Sequence, residues 1–149
     1  MRMNQLFLKK SIFQHKHMSS QKSDILIIDD HDAVRLLLGL TFKSQYSVTT
    51  KKDGIEGMAW LASGNIPDLI ILDMEMPRLN GLEFLQQLRA SGVFRNIPVI
   101  LVSANENEEE ISQTFDLGIV DFIQKPFNPI KLKEKVRNTI LRRSLAVAV

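Results

Sequence analysis

Two kinds of segment alternate along the chain. Asp24–Ile28, Tyr46–Thr50, Asp68–Leu72, Ile97–Val102 and Ile119–Ile123 are short, apolar and rich in β-branched residues. Three of them are nearly continuous apolar runs, the pattern of strands covered on both faces in a parallel sheet. Between them the apolar period becomes helical. Residues 32–44 put Val34, Leu37, Leu38 and Phe42 on one face. Asp53, Asn80 and Asn105 are each followed three places on by Glu56, Glu83 and Glu108, and then by apolar positions. That spacing predicts a capping box at the start of a helix. Asn128-Pro129 opens the last helix, with proline where its missing N–H costs nothing. Apolar residues then recur at Ile130, Leu132, Val136, Ile140 and Leu141.

The order is strand then helix, five times over. Such alternation implies parallel strands with right-handed crossovers. The predicted class is α/β, a flavodoxin-like doubly wound (βα)5 sheet in strand order 2-1-3-4-5. Residues 23–143 form this domain. Residues 1–22 read as a basic extension and residues 144–149 as a short tail.

Composition adds exclusions. There are no cysteines among the 149 residues, which removes disulfides, thiolate metal sites and cysteine nucleophiles. No apolar run reaches the ~18 residues of a membrane helix. The basic N-terminus offers only Leu6-Phe7-Leu8, short of the roughly 7–15 apolar residues of a secretory signal. The expectation is a cytoplasmic protein without a membrane partner.

The net charge of +2 hides an uneven distribution. Residues 1–22 carry five Lys/Arg and no acid, and residues 125–149 carry seven against the single Glu134. Residues 23–124 carry 7 basic and 16 acidic side chains. The pI near 9.0 therefore reflects a basic arm and a basic last helix around an acidic body, and no nucleic-acid binding is expected.

The chemistry collects where strands end. Strand 1 runs into Asp29-Asp30, strand 3 into Asp73, strand 4 into Ser103 and strand 5 into Lys125-Pro126. In a doubly wound sheet these positions meet at the carboxyl edge. Taken singly, each is an ordinary turn or cap residue. Jointly they bring three carboxylates together, and such a cluster is relieved by a hard divalent cation with oxygen ligands. An aspartate can serve as nucleophile and form an acyl phosphate. Lys125 supplies positive charge to a phosphate oxygen, and the Ser103 hydroxyl can donate to another.

This set resembles the receiver domain of two-component response regulators, of the chemotaxis-regulator kind. Asp73-Met74-Glu75-Met76-Pro77 with Gly81 is similar to the family's phosphoacceptor loop, Ser103-Ala104 to its Ser/Thr-Ala pair, and Lys125-Pro126-Phe127 to its Lys-Pro-Phe. The resemblance spans about residues 23–143. It implies that Asp73 accepts a phosphoryl group from a sensor histidine kinase or a histidine phosphotransfer protein. It implies Mg²⁺ (or Mn²⁺) on the side chains of Asp30 and Asp73 and the backbone carbonyl of Glu75, with Asp29 acting through water. Lys125 and Ser103 would contact the phosphoryl group, and the Lys125–Pro126 bond would be cis. Ser103 with Phe122 would form the switch, read by a downstream protein on the face of helix 4, strand 5 and helix 5 (residues 106–142). Phe122 reads equally as a plain core aromatic. The domain would promote only its own phosphorylation and dephosphorylation.

Other readings fit less well. A flavodoxin's first loop cradles phosphate with small hydroxyl residues and N–H groups, whereas Asp29-Asp30-His31-Asp32 would repel it. Phosphatases of the haloacid-dehalogenase type need a second Asp two residues after the nucleophile, where Glu75 stands here. His31, with no second histidine nearby, reads as an exposed loop residue. Three alternatives stay open: a stand-alone switch, the receiver part of a larger DNA-binding regulator, and a phosphorylation-independent binding module. Basic helix 5 (Lys131, Lys133, Lys135, Arg137, Arg142, Arg143) against acidic helix 4 (Glu106, Glu108, Glu109, Glu110) suits a homodimer as well as two solvated faces.

Overall fold

The computed structural model describes residues 21–147. The basic extension lies outside them except for Gln21 and Lys22, which are exposed. Five strands and five helices alternate in this order: β1 (Asp24–Ile28), α1 (Asp32–Phe42), β2 (Ser47–Lys51), α2 (Gly54–Ala62), β3 (Leu69–Leu72), α3 (Gly81–Ala90), β4 (Val99–Ser103), α4 (Glu108–Asp116), β5 (Asp121–Gln124) and α5 (Pro129–Val147). All strand pairs are parallel, in the order β2-β1-β3-β4-β5. The predicted doubly wound fold is the one observed.

The two-residue period of the strands splits the core between the faces of the sheet. Ile25 and Ile27 of β1 point to one face, with Leu38 and Phe42 of α1 and Leu132, Val136 and Ile140 of α5. Leu26 and Ile28 point to the other, with Leu61 of α2 and Phe84, Leu85 and Leu88 of α3. Central strands buried on both sides explain why β3, and β4 up to Val102, read as unbroken apolar runs.

Helix starts follow the cap chemistry with two corrections. At Asp53 only half of the predicted box forms, because the Glu56 carboxylate accepts from the Lys52 N–H and not from the Asp53 N–H, and the fourth helix is capped later in the chain than expected. Asp53 accepts from the Glu56 N–H, and Asn80 with Glu83 forms a complete capping box. Asn80→Ala is expected to cost about 1 kcal/mol, read as a lower urea midpoint at unchanged slope. The fourth helix is capped by Asn107, not Asn105. Asn107 accepts from the N–H groups of Glu109 and Glu110. Asn105 is buried and spans the turn instead, donating to Glu110 Oε2 at 2.7 Å and accepting from the Asn107 N–H.

Three further differences concern faces and ends. Leu37 points outward with Leu36 and Leu40, so only Val34, Leu38 and Phe42 serve the core from α1. Ile130 and Leu141 of α5 are exposed as well. Residues 144–147, read as tail, continue α5. Among the described residues no helix is long and apolar enough to cross a membrane.

Candidate functional site

Register fixes the site. Ile28 pairs with Leu72, Leu72 with Leu101, and Leu101 with Phe122. The residues at the ends of these strands therefore emerge at one edge. The Asp73 N–H donates to the Ile28 carbonyl at 3.0 Å, and the Lys125 N–H donates to the Ser103 carbonyl at 2.9 Å. Backbone pairing thus delivers Asp29, Asp30, Asp73, Ser103 and Lys125 to the same end of the sheet.

Lys125 is the electrostatic centre. Its Nζ donates to Asp29 Oδ2 at 2.8 Å and lies 3.5 Å from Asp73 Oδ2. Both carboxylates are almost fully buried, at 1% and 3% exposure. The Lys125–Pro126 peptide is cis. Ser103 is wholly buried, and its Oγ accepts from the Asn105 N–H. Phe122 is half-buried and packs against the core beneath α2 and α3.

The carboxyl of Asp73 is pushed above the usual carboxylate range, first by burial and then by the neighbouring Asp29. Lys125, the Ser103 hydroxyl and the Glu75 backbone pull the other way without cancelling this. A folded-state carboxyl that holds its proton more tightly than the unfolded one contributes stability below the ordinary carboxylate range. That contribution is lost as pH rises through the raised value. Asp73→Asn is therefore expected to raise the Tm of the metal-free protein at neutral pH. It should leave Tm unchanged below the ordinary carboxylate range, as paired thermal melts in chelator would show.

The loop from Met74 to Asn80 closes one side. The Gly81 N–H donates to the Met74 carbonyl at 2.8 Å. Arg78 takes a left-handed backbone (φ 68°) and pairs with the buried Asp53, the α2 cap. Asp53 is held below its ordinary carboxylate value by the Glu56 N–H and, against burial, by Arg78. An open cleft of ≈ 540 Å³ lies beside the acids, lined by Asp30, His31, Glu75, Met76, Asn105 and Glu110 among others.

The residues present suit a divalent cation. Donor atoms of Asp29, Asp30, His31 and Asp73 lie within 4.8 Å of one another. Asp30 Oδ1 is a buried oxygen without a hydrogen-bond partner. His31 Nδ1 is 3.2 Å away without forming a hydrogen bond to it. His31 is an exposed loop residue, as its sequence context predicts, but its Nδ1 turns toward the acids; the Arg78–Asp53 pair and the Asn105–Glu110 bond had no sequence signal. The local sequence gives no ring direction, and Arg78 and Asp53 are joined only by the fold.

Residues 25–137 match the response regulator receiver domain family. The chain belongs to this family. Over 122 residues it is 38% identical to the response regulator MprA of a Mycobacterium species, covering 80% of this chain and 51% of that protein. The chain thus spans about half the length of that relative. A response regulator receiver protein from Pseudomonas putida superposes with a TM-score of 0.75 at 29% identity, covering 80% of this chain and 98% of the other. The phosphorylated cyanobacterial phytochrome response regulator RcpA gives 0.68 at 29% identity, covering 78% and 90%. In this receiver domain the acidic cluster occupies the carboxyl edge of the sheet, where β1 and β3 end side by side.

Proposed function

We propose that this receiver domain is a phosphorylation switch with Asp73 as the phosphoacceptor. The observation that carries the reading is the Lys125 ammonium held between two buried carboxylates, 2.8 Å from Asp29 and 3.5 Å from Asp73. One ammonium compensates the three carboxylates only in part, and the arrangement suits a phosphoryl group entering beside Lys125. A structural neighbour, RcpA, is a phosphorylated response regulator.

The donor is a phosphohistidine on a sensor histidine kinase or histidine phosphotransfer protein. An Asp73 carboxylate oxygen attacks phosphorus, the phosphorus–nitrogen bond breaks, and the imidazole leaves with a proton. Asp30, Asp73 and the Glu75 carbonyl would hold Mg²⁺ or Mn²⁺, with Asp29 acting through a water. When bound, the ion neutralises charge on the carboxylates and the phosphoryl oxygens. Lys125 leaves Asp73 for a phosphoryl oxygen, and the Ser103 hydroxyl donates to another. Movement of Ser103 opens room for Phe122, and the surface of α4, β5 and α5 changes for a downstream protein. The domain promotes only its own phosphorylation and dephosphorylation.

Acetyl phosphate with and without Mg²⁺, read by intact mass beside Asp73→Asn, tests this. A Mg²⁺-dependent phosphoryl adduct absent from the variant is expected. A folded, Mg²⁺-binding protein that forms no adduct would instead be a phosphorylation-independent binding module.

A further inference from the structure

The oxygen donors of Asp29, Asp30 and Asp73 suit a hard cation. His31 adds a nitrogen to them. It succeeds Asp30 in the turn between β1 and α1, and its backbone N–H donates to Asp29 Oδ1 at 2.9 Å. That bond closes the chain over the acidic pair and sets where the imidazole begins. Nδ1 lies 3.2 Å from Asp30 Oδ1 and 3.7 Å from Asp29 Oδ1.

Around an octahedral ion with ligands at ~2.1 Å, neighbouring donors sit about 3 Å apart and opposite ones about 4.2 Å. The four-residue set, with every donor within 4.8 Å of the others, is close to that size. Asp30 Oδ1 is buried and unpartnered, and Nδ1 lies beside it without forming a hydrogen bond to it. Two donor atoms this close, one a carboxylate oxygen and one an imidazole nitrogen, are a pair that one cation can bridge. The ring is 69% exposed, and Nδ1 is the nitrogen that lies beside the carboxylates.

We infer that His31 Nδ1 is a metal ligand of this site and shifts its preference from Mg²⁺ toward first-row transition ions. This rests on the reading that Asp30 and Asp73 hold a divalent cation. Mg²⁺ gains little from an imidazole, being matched to oxygen and reluctant to give up water. Mn²⁺, Co²⁺ and Ni²⁺ bind imidazole increasingly well in that order. The site would then respond to the balance of available metals, with the turn after strand 1 as its selectivity element.

His31→Asn tests the inference because it keeps the backbone N–H and a polar side chain but removes the ring nitrogen. His15 and His17 are the other histidines of the sequence, and both are replaced by Asn in every protein compared, so that they bind no nickel. Calorimetric titration with Mg²⁺ and with Ni²⁺ is paired with pulsed EPR of bound Mn²⁺. His31→Asn is expected to weaken Ni²⁺ about tenfold and to leave Mg²⁺ within about twofold. Imidazole ¹⁴N coupling to Mn²⁺ should appear with His31 and vanish without it. An unchanged Ni²⁺-to-Mg²⁺ affinity ratio, or no imidazole coupling with His31 present, overturns the inference and leaves the Asp30–Asp73 reading standing. Failure of both proteins to bind any of these ions overturns that reading as well.

Discussion

Gly81→Ala is expected to destabilise the domain by about 3 kcal/mol and to abolish phosphorylation of Asp73. A Cβ at this position would stand 2.3 Å from the Asp73 carbonyl oxygen and 2.7 Å from the Met74 Cα. These are backbone atoms of the β3 end, so no side-chain rotation relieves the overlap. The Gly81 N–H also donates to the Met74 carbonyl. Either the first turn of α3 lifts from the sheet, exposing Phe84, or the loop after Asp73 is pushed away. Both movements displace the Asp73 backbone and the Glu75 carbonyl with it. Urea unfolding measures the first effect, and adduct formation on the protein that remains folded measures the second. A Gly81→Ala protein of normal stability and reactivity would mean that the close approach of α3 does not position the site.

Lys125→Met is expected to cost about 3 kcal/mol in metal-free buffer, because it leaves Asp29 and Asp73 buried without their shared cation. The Asp73 carboxyl should rise further, since Lys125 is among the groups that hold it down. Two signs then oppose each other. Removing the ammonium lowers electrostatic competition for a divalent ion, so Mg²⁺ should bind more tightly and restore much of the lost Tm. Phosphorylation should nevertheless slow about 100-fold, since the positive charge for the phosphoryl oxygens is gone. Melts with and without Mg²⁺, beside the rate of adduct formation, separate the two. If Lys125→Met lost metal binding along with reactivity, Lys125 would be organising the pocket rather than facing the phosphoryl group.

The fold was legible because the central strands are covered on both faces. β3 and β4 consist only of buried side chains and left no ambiguity of period. Strand ends were less clear. Ile97 and Ile119 are buried but precede β4 and β5, because apolar burial begins before ladder pairing does. On α1 the cluster Leu36, Leu37, Leu38 and Leu40 is apolar at too many angles to select a face. The structure selects Leu38 with Val34 and Phe42. Asn105 and Asn107 both precede the acidic run, and each has a Glu three places on. The choice of Asn107 depends on Asn105 being drawn into the turn by Ser103 and Glu110.

The site was legible for a different reason. Asp29, Asp30, Asp73, Ser103 and Lys125 are far apart in sequence, but the topology puts every strand end on one edge. The ion pair between Lys125 and Asp29, 96 residues apart, arises from strand order more than from any local motif. Interactions that need a side-chain direction stayed hidden. Arg89 donates to the carbonyls of Arg95, Ile97, Leu117 and Gly118, joining α3 to the entries of β4 and β5. Nothing in its sequence neighbourhood marks it out from other helix-end arginines.

Asp73, and no other carboxylate of the cluster, is expected to take the phosphoryl group. Treating the protein with acetyl phosphate in Mg²⁺, reducing with borohydride and mapping the peptides tests it at the level of the atom. An acyl phosphate is reduced to the alcohol, so homoserine is expected at position 73 and none when Mg²⁺ is chelated. Homoserine at Asp29 or Asp30, or none at all from folded and Mg²⁺-loaded protein, would contradict it.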